Sequence, residues 1–169
     1  MDHLDPTVYQ KNIEERGMRS STWTIGALVT SLICAGCDVV EERHPDYNSA
    51  VDLRTRGWMP SFVPRSAQTI VARYDADTNA ELMMFELSPS DFDQMIRSCS
   101  STGVEQISLP RRSLTHSLAG RGPRIRWWPK ALSNGTKPLP SDYTYHKCIA
   151  DDGGFLAITQ DKKRAFYWH

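Results

Sequence analysis

The stretch QTIVARYDADTNAELMMFELS, residues 68–88, decides the fold. Two runs rich in Ile, Val, Tyr, Leu, Met and Phe flank DADTNA, where Asp and Asn supply the local side-chain hydrogen bonds that turns favour. The pattern predicts a β-hairpin. Directly after it, SPSDFDQMIRSCS (88–100) predicts a helix with Ser90 as N-cap, Asp91 and Asp93 in the first turn, and Phe92, Met95, Ile96 and Cys99 at helical spacing. Further on, GVEQIS, RIRWW, YTYHKCIA, GFLAITQ and RAFYWH are short β-prone runs separated by Gly, Pro, Asn and Asp, and TQDKKR is expected to turn a last hairpin.

Upstream, AVDLRTRG (50–57) predicts a short helix ended by Gly57, and WMPSFVPRSA is irregular because Pro60 and Pro64 forbid a long one. Trp58, Phe62 and Val63 are its expected core contacts. The fold class is therefore α+β: one small domain, residues 50–169, mostly antiparallel sheet with one or two helices packed on it.

The whole chain has 169 residues, with 20 basic and 20 acidic side chains and a 40% hydrophobic fraction, enough for a packed core. Balanced charge disfavours nucleic acid as a partner. Residues 38–49, DVVEERHPDYNS, are polar without sustained apolar period and are expected to form a tether.

Ahead of that tether, the uncharged apolar segment from Trp23 to Ala35 follows Arg19 and ends in Ala35-Gly36-Cys37. It is short for a permanent span, which takes about 20 apolar residues, and has the layout of a signal peptide. Cys34-Ala35-Gly36-Cys37 resembles a bacterial lipoprotein lipobox, with Cys34 where that pattern usually has Leu. The resemblance implies cleavage before Cys37 and a lipid thioether on it. The membrane would then be a partner through that anchor, on the periplasmic side of the cell envelope. Asp38, next to the lipidated residue, points to the inner membrane by the enterobacterial rule, with the outer membrane left open. Residues 18–36 are the expected lipoprotein signal peptide, and 37–49 the lipidated Cys and tether. Residues 1–17 carry four acidic residues where a basic start is usual, and are expected to be a misassigned N-terminal extension.

The segments RGWMPSFVPRSAQTI, DADTNAELMMFEL and GFLAITQDKKRAFYWH resemble a family of small proteobacterial lipoproteins that brings no activity with it. Export to an oxidising periplasm allows Cys99 and Cys148 to pair, worth roughly 3 to 4 kcal/mol in the chain-entropy model; two buried thiols are the alternative.

Other chemistry is thin. Asp75, Asp77, Asn79 and Glu86 match positions of a calcium loop, but Ala80 replaces its turn glycine and the flanks are strand-like. His44, His116, His146 and His169 lack zinc spacing, and no G-x-S-x-G elbow occurs. No metal, cofactor or catalytic residue is expected. RRSLTHSLAGRGPRIRWWPK (111–130) interleaves cations with indoles, and Arg124, Arg126, Trp127 and Trp128 are candidate contacts for anionic headgroups, glycans or an acidic protein face, against a plainer reading as a basic loop beside core aromatics. The expected function is a lipid-anchored periplasmic binding or interaction module with an envelope protein partner, or alternatively an inhibitor or immunity lipoprotein that blocks an envelope-attacking enzyme.

Overall fold

The computed structural model describes residues 39–117, 122–133, 139–148 and 153–169, all within one compact unit. The predicted hairpin is present as β2 (Gln68–Asp75) and β3 (Ala80–Glu86). Its turn is held by the Asp77 backbone N–H donating to the Asp75 carboxylate at 3.0 Å, and Asn79 takes the left-handed φ of +52° that Asn tolerates.

This hairpin belongs to a seven-stranded, wholly antiparallel sheet with β1 (Val39–Asp46), β4 (Cys99–Ser101), β5 (Tyr143–Cys148), β6 (Phe155–Thr159) and β7 (Arg164–Trp168), in the order β1-β2-β3-β7-β6-β5-β4. Few helices accompany it. Consecutive apolar residues in β3, Leu82-Met83-Met84-Phe85, are all buried, which requires cover on both faces of the sheet. One face packs Met83, Phe85, Ile70, Tyr74 and Tyr167 under α1 (Val51–Thr55), α2 (Pro89–Met95) and the irregular segment carrying Met59 and Val63. The other packs Leu82, Met84, Phe166 and Trp168 under Ile107, α3 (Arg112–Thr115) and the chain from Ile125 to Leu132.

Several expectations need correction. Val39–Asp46, expected as tether, is an edge strand paired with β2 along its length, so the folded domain starts earlier than residue 50. Its side chains need little apolar character because Glu41 and Glu42 are held by ion pairs instead. The N-cap of α2 is Ser88, not Ser90: Pro89 occupies the first turn, and the Ser88 hydroxyl accepts from the Asp91 N–H. Asp93 pairs with Lys162 at 2.6 Å. VEQ at 104–106 forms a 3-10 turn, and RIRWW makes only the isolated bridge His116 to Arg124 among the described residues. Cys99 is not on a helix either; α2 stops at Met95, a 3-10 turn follows, and Cys99 opens β4.

Gly57 does end α1. With φ at +83° it lets the Trp58 N–H reach the Leu53 carbonyl at 2.8 Å and its own N–H reach Arg54 at 3.1 Å, the paired bonds of a Schellman closure.

Candidate functional site

Strand register places two surfaces worth weighing. The first is an open groove of about 780 Å³ at one end of the central strands. Gln68 opens β2 opposite Glu86, which closes β3 opposite Arg164, and the Thr159 hydroxyl at the end of β6 donates to the Arg164 carbonyl at 3.2 Å. Ser66, Ser88, Asp91, Asp142, Asp161 and Lys163 also line it, together with Leu87 and Gln160. Arg164 clasps Glu86 at 3.1 Å. The Asp161 carboxyl is held below its usual range by the Thr159 hydroxyl first, then by the Lys163 backbone N–H. Beside the groove, the pairing of β2 slips between Gln68 and Val71, and Thr69 sits at φ +50°, a costly conformation for a β-branched residue. A groove so lined can bind a polar partner through both signs of charge. The sequence could not announce it: its residues come from distant segments, and SPSDFD and TQDKKR had explanations as a helix cap and a turn.

The second surface is formed by residues 111–117 and 122–130. Trp128 is fully buried, meets Phe166 and Trp168 edge-on at 5.7 and 6.0 Å, and donates its indole N–H to the Leu132 carbonyl at 2.9 Å. As a contact residue it is therefore corrected: it is core. Arg124 is half-buried and bonds the Trp128 carbonyl at 2.5 Å, so it braces its own loop. Arg126, Arg111 and Arg112 are exposed, and Trp127 is half-buried over β1.

Under Trp127 lies an ionic knot. Glu41 takes Arg43 at 2.8 Å and Arg73 at 3.3 Å, and Arg73 also donates to the His116 carbonyl at 2.8 Å, stitching the loop to the sheet. Partial burial raises the Glu41 pKa, but the Trp127 indole, Arg43 and Arg73 outweigh it and hold the carboxyl below its ordinary value. Trp127 Nε1 is enclosed without a partner of regular hydrogen-bond geometry, so its approach to Glu41 is looser than the two guanidinium contacts.

Cys99 and Cys148 are direct register partners on β4 and β5 and form a disulfide, with Cα atoms 4.2 Å apart. It joins neighbouring strands, not a helix to the sheet. Cys37 and Asp38, with all of 1–36 and Arg121, lie outside the described residues. Of the calcium-loop residues, Asp75 and Asp77 are at the hairpin tip, whereas Glu86 is at the far end of β3, six residues or about 20 Å away. The four histidines, too, are dispersed over β1, the end of α3, β5 and the residue after β7.

In comparison with known proteins, the family described as YbbD head domain matches residues 38–86, under a third of the chain. That stretch is β1, α1, β2 and β3, and so includes the edge strand that composition alone left as tether. No curated protein and no solved structure matches the chain.

Proposed function

We propose that this chain is a lipid-anchored, periplasm-facing module of the bacterial envelope that binds a polar partner and performs no catalysis. The observation that carries the reading is the disulfide between Cys99 and Cys148, since such bonds persist in oxidising compartments and are rare in the cytosol. The lipobox-like Cys34-Ala35-Gly36-Cys37 supplies the route there, and Asp38 favours retention at the inner membrane. The polar groove between Gln68, Glu86 and Arg164 is the binding surface that this reading uses, with an envelope protein as its partner.

Cys37→Ala tests the anchor. Metabolic labelling with a lipid precursor is expected to mark the wild-type chain and to leave the variant unlabelled, as an unprocessed precursor or a poorly anchored product. Continued labelling of the variant rejects Cys37 as the attachment site.

A further inference from the structure

We propose that the flank built by β1 and by residues 111–117 and 122–130 lies against anionic lipid headgroups, a proposal that rests on lipid attachment at Cys37. Cys37 precedes Val39 by two residues, and Val39 is already paired with Asp75 in the sheet. Two residues reach at most about 7 Å. A lipid on Cys37 would therefore leave no free tether and hold the start of β1 close to the headgroup layer.

Charge decides which side of the domain turns toward that layer. Glu41 and Arg43 alternate on β1 on the face that carries Trp127 and the layer containing Leu114, Ile125 and Trp128. Arg43, Arg111, Arg112 and Arg126 are exposed there, and the one carboxylate in the knot beneath Trp127, Glu41, is already shared between Arg43 and Arg73. The sheet end itself is acidic, since the β2–β3 turn carries Asp75 and Asp77. Anionic headgroups repel that tip and attract the arginines, so the domain leans on its basic flank instead of standing on its end. The groove opens at the opposite end of the strands and stays accessible from the periplasm.

The test places a photo-crosslinking amino acid at Arg126, at Thr78 on the hairpin tip, or at Gln94 on the other face, in the full lipidated chain. Each is reconstituted into phosphatidylcholine vesicles with or without phosphatidylglycerol. Lipid adducts are expected at 126 alone and only with phosphatidylglycerol, and Arg111→Gln with Arg112→Gln is expected to shift the docked-to-undocked ratio down by about fivefold per lost cation. Equal adducts without phosphatidylglycerol, adducts at 78 instead of 126, or adducts at 126 to protein only would overturn the proposal. Mass spectrometry separates it from the anchor: a chain without lipid on Cys37 overturns both, and a lipidated chain silent at 126 overturns the docking alone.

Discussion

Tyr74 gathers three kinds of interaction on one ring. Trp58 stacks on it at 4.4 Å, the Arg56 guanidinium sits 5.6 Å from its centroid, and its hydroxyl both accepts from Arg56 and donates to Glu42 at 2.6 Å. Partial burial raises the Glu42 pKa, yet the Tyr74 hydroxyl, Arg56 and His44 outweigh it, so the carboxyl titrates below its usual value. The sign follows. A carboxylate with a depressed folded-state pKa contributes stability above its unfolded value, about pH 4.3, and loses it as pH falls through the lower folded value. Glu42→Gln is expected to cost about 1 kcal/mol or less at pH 7, because the pair is partly solvated. That cost should shrink as acid is added below about pH 4.3. Urea denaturation of both proteins across this range checks it, and a penalty independent of pH would place the effect in packing, not charge.

At the scale of elements, β4 is the weakest piece. It has three residues and, among the described residues, lies at the sheet edge with no strand beyond it, so the bond from Cys99 to Cys148 is its main fastening. The bond closes a loop with a sequence separation of 49, and in the chain-entropy model such a crosslink stabilises by about 4 kcal/mol. Cys99→Ser with Cys148→Ser should lower the urea midpoint accordingly and speed amide exchange at Ser100 and Ser101 first. Unchanged exchange there would show that the ladder to Lys147 and His146 suffices alone. Elements differed in how far they could be read from sequence. The β2–β3 hairpin, α1 and the β6–β7 hairpin were legible because their apolar periods and turn residues agree. VVEERHPD was not, because an edge strand whose carboxylates are satisfied by Arg43, Arg56 and Arg73 carries no apolar face to detect. RIRWW looked like a strand because β-branched and aromatic residues also suit a covering loop, and only the sheet beneath it decides which. The groove was illegible for a different reason: it is a meeting of strand ends, visible only once register is known.

At the largest scale, the described residues form one sheet shared by two cores, and this makes its layers interdependent. Val71, Leu82 and Met84 face one layer while Ile70, Met83 and Phe85 face the other, on the same two strands. Neither layer can leave without exposing backbone-paired strands that the other still needs. Trp128 tests this, since it is fully buried at the centre of the second layer among Trp127, Phe166 and Trp168. Truncating a buried tryptophan costs about 3–5 kcal/mol through lost transfer energy and the cavity left behind, a large share of the 5–15 kcal/mol typical of a domain. Trp128→Ala is therefore expected to lower the urea midpoint sharply while near-ultraviolet and far-ultraviolet circular dichroism still report one coincident transition. Trp127→Ala, at the half-buried rim, should cost much less. If the two signals separate in Trp128→Ala, with aromatic packing lost before the sheet, then the layer of Ile107, Leu114, Ile125 and Leu132 folds onto a sheet that stands without it, and the binding groove at the strand ends would survive its removal.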